Sequence, residues 1–191
     1  MRAVLLGLLL ALAGCASAPS SINNVCSVFE QRDGFIQNWH RAAKETERKY
    51  GVPVPILMAT IRIESGYQAR ARPPRSKLLG FIPWKRASSA YGYSQALDGT
   101  WTEYKRATGN WAADRNNFHH AIDFVGWYHN RSNSLNGISL NDAYHLYLAY
   151  YAGHAGYRQG NWKSNSQMQG AAKRAADMAN QYSGQLRSCG L

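Results

Sequence analysis

A mainly helical single domain is predicted by three features of the 191-residue chain. Apolar residues recur near the 3.6-residue period in several separate stretches, no stretch sustains period-two alternation, and no segment repeats another. A composition of 45% hydrophobic and 17% charged residues is ordinary for a packed core, which excludes a disordered or fibrous chain. Three cysteines exclude a disulfide-dense scaffold, and the longest apolar run, residues 3–13, is too short for an internal membrane span of about 20 residues.

The elements follow in order. Val28, Phe35, Trp39 and Ala42 share a helical period that runs to Tyr50, with Gly51 as the stop. Pro53 and Pro55 open a second helix, since proline is tolerated in a first turn, and it continues to about Ser65. Residues 67–93 contain Pro73, Pro74, Gly80, Pro83 and Gly92 and read as irregular. Asp98 is placed to cap a third helix reaching about Ala107. Phe118, Ala121, Ile122 and Val125 form the stripe of a fourth, ended by Asn136 and Gly137. Residues 140–152 are nearly all apolar or aromatic, which predicts a helix buried on most sides. Met168, Ala171, Ala172, Ala175, Ala179 and Tyr182 make a last amphipathic helix.

The first fifteen residues have the layout of a secretory signal: Arg2, an apolar stretch, then Leu12, Ala13, Gly14, Cys15. The last four resemble a bacterial lipobox, which implies removal of residues 1–14 and lipidation of Cys15; ordinary cleavage near Ala18 is the alternative. Residues 15–25 then form a lipidated tether and 26–191 the domain. By resemblance to lipoproteins, Ala16 after the cysteine favours an outer-membrane anchor on the periplasmic face. Export changes the meaning of the net charge of +11. In a cytosolic chain it would point to nucleic acid, but an exported one meets acidic wall polymers, so nucleic acid is set aside. With Cys15 lipidated, Cys26 and Cys189 remain as an even pair in an oxidising compartment and are expected to be bridged.

One carboxylate stands out. The positions three, four, seven and eight before Glu64 are Ile61, Thr60, Leu57 and Ile56, so Glu64 projects from the apolar stripe of the second helix, near its C-terminus. Burial and the negative end of the helix both disfavour its charged form. A carboxylic acid kept protonated near neutrality is what glycosidic cleavage requires of a proton donor. The helix alone leaves open an idle, solvated Glu at a fraying end.

Three separated segments then match in order. Glu64, Ser65, Gly66, Tyr67 look like a catalytic Glu-Ser segment, and residues 90–101 resemble a Gly-Leu-Met-Gln stretch with its following helix. Residues 149–153, Ala-Tyr-Tyr-Ala-Gly, resemble Ala-Tyr-Asn-Ala-Gly. Over about residues 45–160 the chain resembles the SLT-type lytic transglycosylase domain of the lysozyme-like superfamily, related to goose-type lysozyme. The resemblance implies a lysozyme-like helical fold with a central buried helix. It also implies cleavage of the β-1,4 bond between N-acetylmuramic acid and N-acetylglucosamine in peptidoglycan, giving 1,6-anhydromuramoyl products. Glu64 would be the acid and then the base, Tyr150 would hydrogen-bond near it, and Ser65, Tyr93, Ser94, Gln95 and Tyr151 would lie on the substrate. For the tyrosines, core packing is the alternative. Tyr93, Ser94, Asp98 and Tyr151 depart from the family's usual residues.

An intramolecular nucleophile makes a second enzymic carboxylate unnecessary. Glu103 is kept as a further candidate cleft acid, and Asp98 and Asp142 are read as caps or first-turn charges. No cofactor is implied and no metal site, because the six histidines make no ligand spacing. The basic stretch of residues 70–89 reads as a flap or docking surface, with a solvated loop as the alternative. Two other functions stay open: a muramidase that uses water, and a catalytically silent peptidoglycan-binding or envelope-spanning secretion-apparatus protein.

Overall fold

The computed structural model describes residues 17–35, 38–78 and 82–191, leaving aside the side chains of 76–85. Cys15 and the leader, residues 1–14, lie outside the described residues. Among those described, seven helices and one two-stranded hairpin make a mainly helical fold.

The first predicted helix is two. α1 (Val25–Arg32) is capped by the Asn24 side chain, which accepts from the Ser27 N–H at 3.2 Å; α2 (Trp39–Tyr50) is capped by Asn38, accepting from Arg41 at 2.6 Å. Phe35, counted into one continuous period, lies between them and is fully exposed. The two asparagines satisfy orphan N–H groups that an unbroken helix would not have had. The tether reading also shortens: Pro19 is buried, the Ile22 carbonyl accepts from Tyr182, and the Asn23 carbonyl accepts from Gln181 and Gln185. Residues 19–25 therefore rest on the body of the domain.

α3 (Val54–Ser65) starts after Pro53 and is the most completely enclosed element, with every residue from Ile56 to Ile61 buried. It packs against α2, α5 (Phe118–Asn136) and α7 (Ser166–Cys189). α6 (Ala143–Arg158) was expected to be buried on most sides, but only Leu146, Tyr147, Leu148 and Ala149 are. It packs between α5 and α7; Tyr144, Tyr150 and Tyr157 lie half-buried against the core and Tyr151 is exposed. Its helical path breaks at Gly153, with φ 74° and ψ 154°, a conformation that favours glycine.

Asp98 is the first residue of α4 (Asp98–Thr108), not its cap. Leu97 holds that position with no side-chain bond, while Asp98 pairs with Arg115 at 2.7 Å. Residues 67–93, read as irregular, contain the antiparallel strands β1 (Arg75–Leu78) and β2 (Ile82–Arg86). Strands so short, with four charged residues and Pro83 among nine, carry no alternating pattern to detect, and proline is tolerated on an edge strand.

The core is aromatic at one end: Trp39 stacks on Phe118 with centroids 3.8 Å apart, and Tyr93 meets both rings edge-on at 5.5 and 5.6 Å. Cys26 on α1 and Cys189 on α7 form the expected disulfide.

Candidate active site

Glu64 occupies the last turn of α3, which ends in two consecutive residues of positive φ, Gly66 (57°) and Tyr67 (63°). A left-handed conformation is costly for tyrosine. It is held from below, where the Tyr67 hydroxyl lies 3.2 Å from the Met58 carbonyl and 3.1 Å from the Tyr182 hydroxyl. The turn thus fixes where Glu64 emerges.

The carboxyl is met by Tyr147 from α6, whose hydroxyl donates to Oε1 at 2.7 Å. Part of Glu64 remains open to solvent, yet its carboxyl is crowded by protein atoms, and burial pushes its pKa up to about 7; the Tyr147 bond pulls the other way. Burial first, then the adjacent Glu64, raise the Tyr147 phenol well above its ordinary range. Tyr147 consequently remains a donor at any physiological pH. A carboxyl raised so far retains its proton towards neutrality, as proton donation to a leaving oxygen requires.

The structure redistributes the other predicted roles. Tyr150 donates to the Ser94 carbonyl at 2.6 Å, so the hydrogen bond to Glu64 belongs to Tyr147 three residues earlier. The two rings stack at 6.3 Å, and Tyr150 acts as a strut between α6 and the loop of residues 91–96. Ser65 is buried and donates to the Ile61 carbonyl at 3.2 Å, bonding its own helix. Tyr93 is only 4% exposed and belongs to the Trp39 aromatic group, which removes it from any sugar. Ser94 is fully buried, and its hydroxyl has no partner among the described residues. Gln95, at φ 50°, donates its amide to the carbonyls of Ala71 (3.0 Å) and Gly92 (2.8 Å), locking the loop and leaving its own oxygen as the only group to offer. Tyr151 is exposed, its ring 6.5 Å from that of Tyr147, the residue that donates to the acid.

The loop's shape has a specific cause. Gly92, at φ 77°, lies so close to the Arg115 carbonyl that any Cβ would overlap it. Tyr93 donates its N–H to that same carbonyl at 3.1 Å. Behind Tyr150, the buried His129 meets the Thr60 hydroxyl at 3.0 Å, and that hydroxyl donates to the Ile56 carbonyl, so His129 is assigned its proton on Nε2. Burial pushes its pKa down to about 3, leaving it neutral.

Other acids are engaged elsewhere. Glu103 is exposed and pairs with Arg131 at 2.8 Å; Asp142 caps α6, accepting from the His145 N–H at 3.0 Å. Asp123, which no sequence pattern marks, gathers Lys49, Tyr50 and Tyr104 at 2.8, 3.2 and 2.7 Å. Among the described residues no three ligating side chains are grouped to hold a metal ion.

The family model described as a transglycosylase SLT domain matches residues 3–189, a longer span than the three motifs suggest. No curated protein and no solved structure matches the chain. Domains of this kind cleave glycosidic bonds and act on peptidoglycan in the cell envelope. With a partly protonated acid at a helix end, a tyrosine donor upon it and nearly the whole chain covered, the protein belongs to the transglycosylase SLT domain family.

Proposed function

We propose that the protein is a lytic transglycosylase that cleaves between N-acetylmuramic acid and N-acetylglucosamine with Glu64 as its single acid and base. The observation that carries this is the pairing of Glu64, pKa about 7, with the Tyr147 hydroxyl at 2.7 Å. Protonated Glu64 gives its proton to the bridging oxygen as the bond from that oxygen to the muramoyl anomeric carbon breaks. The resulting Glu64 carboxylate, held by Tyr147, takes the proton of the muramoyl 6-hydroxyl as its oxygen attacks the same carbon. The ring closes to the 1,6-anhydro product, Glu64 ends protonated as it began, and no water is consumed. The nucleophile is already part of the substrate, which replaces the second carboxylate that other glycosidases need. Tyr151 supplies a ring for the glycan, Gln95 offers its carbonyl oxygen, and Tyr150 braces the loop that carries it.

The chain is further read as a lipoprotein: residues 1–14 are removed, Cys15 is lipidated and the domain faces the periplasm from the outer membrane. Among the described residues no helix is long and apolar enough to cross a membrane.

Digestion of purified sacculi followed by mass measurement of the fragments tests the reaction. Muropeptides one water lighter than hydrolysis products are expected from the native chain. Glu64→Gln should lose turnover by at least about 1,000-fold while still binding sacculi, since an essential proton donor is removed. Fragments with reducing-end muramic acid would make the protein a hydrolase, and unchanged turnover in Glu64→Gln would discharge Glu64 from the role.

A further inference from the structure

The segment that leads into α1, residues 19–24, touches the turn that carries the acid on both sides of Glu64. Asn23 Oδ1 accepts from Arg62 Nε at 3.0 Å and from Arg62 Nη2 at 2.7 Å, and Arg62 stands just before Glu64 in the last turn of α3. Beyond the acid, Ile22 packs beside Gly66, where a Cβ would stand 3.8 Å from Ile22 Cδ1. The Ile22 carbonyl accepts from the Tyr182 hydroxyl, so between the hydroxyls of Tyr182 and Tyr67, 3.1 Å apart, only Tyr67 is left to donate. Arg62, Gly66 and Tyr67 thus all meet the same short stretch of backbone, directly or through Tyr182, and Glu64 lies between them.

The segment is itself fixed on α7. The Asn23 carbonyl accepts from the side-chain amides of Gln181 at 3.1 Å and Gln185 at 3.0 Å, and the Val25 N–H donates to Gln185 Oε1 at 2.9 Å. Docking alone would be met by these bonds; the contacts to Arg62, Gly66 and the Tyr67–Tyr182 pair reach past α7 to the turn. That turn needs restraint, because Gly66 at φ 57° is followed by Tyr67 at φ 63°, a conformation that costs a tyrosine more than a glycine. Tyr67 and Tyr182 are both fully buried, so a hydroxyl that lost its partner there would find no water to replace it.

We propose that Ile22 and Asn23 are positioning residues for the acid: with Tyr182 they brace the α3 turn from behind, so that the segment following Cys15 is a working part of the site and not a spacer. The proposal rests on the reading of Glu64 as the acid. The brace acts through geometry. With it in place the carboxyl is crowded by protein atoms and held 2.7 Å from the Tyr147 hydroxyl. Without it the turn relaxes, the carboxyl takes up water, and the proton donor moves off the bridging oxygen; a misplacement of about 1 Å is enough to lower a rate by about 100-fold. Burial outweighs the Tyr147 bond in raising the Glu64 pKa to about 7, so a loosened, solvated turn releases its proton at lower pH.

The test uses the full chain and its Asn23→Ala, Tyr182→Phe and double variants, with soluble glycan strands as substrate. Asn23 is exposed and Tyr182→Phe keeps the ring; circular dichroism and thermal unfolding check that each variant is folded at the assay temperature. The expected result is a kcat about 3- to 10-fold lower in each single variant and about 10- to 100-fold lower in the double one, with KM within about twofold of native. The alkaline limb of the pH profile should move to lower pH, opposite to the shift expected on loss of the Tyr147 hydroxyl. Asn23→Asp still offers Arg62 an acceptor and should bring kcat back to within about twofold of native. Gln31→Ala releases only the Ser20 N–H, bound at 2.9 Å at the far end of the segment, and should leave kcat as it is. An unmoved pH limb, a loss carried by KM alone, or an equal loss in Gln31→Ala would overturn the brace. Should Tyr182→Phe fail to fold, the pair Asn23→Ala and Asn23→Asp decides the matter by the same criteria. If the native chain cleaves no glycan, the reading of Glu64 as the acid fails, and the brace is judged by carboxyl-carbon NMR of glutamate-labelled protein. A Glu64 titration midpoint at least about one pH unit lower in the double variant, or in Asn23→Ala by a smaller step in the same direction, upholds the brace, and an unmoved midpoint rejects it.

Discussion

Glu64 and Tyr147 divide the chemistry unequally. Tyr147 donates to the carboxyl, and a hydrogen bond to a charged group contributes about 1.5–3 kcal/mol, so it favours the carboxylate that forms once the proton has left. Tyr147→Phe should therefore lower kcat/KM by about 10- to 100-fold. The pH profile distinguishes this from simple misfolding. The proposed reaction needs protonated Glu64, so in the native chain kcat/KM should fall above about pH 7, the pKa to which burial raises the acid. Tyr147 lowers that pKa, so in Tyr147→Phe the alkaline limb should move to higher pH; an unmoved limb would mean that Tyr147 does not touch the working acid. Glu64 was legible in the sequence because a single glutamate interrupts an otherwise apolar helical stripe. Tyr147 was not, because Tyr144, Tyr147, Tyr150 and Tyr151 crowd one helix. Which of them reaches the acid depends on how α6 is rotated against α3, a property that no local pattern carries.

At the scale of elements, caps decided what periodicity could not. The helical period ran through residues 28–50, but Asn24 and Asn38 each accept a backbone N–H and so begin separate helices, with Phe35 left in solvent between them. The hairpin escaped notice because its residues alternate neither in polarity nor in size; just before it, the Ala71 carbonyl accepts from the Gly92 N–H and from the Gln95 side-chain amide. The helix pairs are set by close approach. Gly126 on α5 faces α2, and a Cβ there would overlap Thr46 Cγ2 and crowd Tyr50 Cδ2. Glycine in a helix interior ordinarily costs about 1 kcal/mol against alanine, so its replacement would normally stabilise. Here the overlap should dominate: Gly126→Ala is expected to lose about 1–2 kcal/mol in urea denaturation, since overpacking a core costs about 1–3 kcal/mol. A gain in stability would show that α2 and α5 can move apart freely.

For the whole molecule, the fold class was legible from periodicity and the pairing of Cys26 with Cys189 from counting, because the expected lipidation of Cys15 leaves an even pair of thiols. The docking of residues 19–25 on α7 was not, since Gln181, Tyr182 and Gln185 bind backbone carbonyls of a segment whose small polar composition reads as tether. The bridge joins residues 163 positions apart. Cross-linking so distant a pair restricts the unfolded chain by roughly 4–5 kcal/mol in the chain-entropy account, an upper value because residual structure subtracts. Cys26→Ser with Cys189→Ser should lower the unfolding free energy by about 3–4 kcal/mol, read from denaturant midpoints, with the Tyr147–Glu64 site and its turnover retained at low temperature.

The same sulfur link turns almost the entire domain into a covalent ring. A peptide bond cut once anywhere inside that ring, in the hairpin or between two helices, opens the circle without freeing a piece. A chain nicked there by a protease thus keeps both portions in register, separating only when a reductant reaches the bond between the first helix and the last.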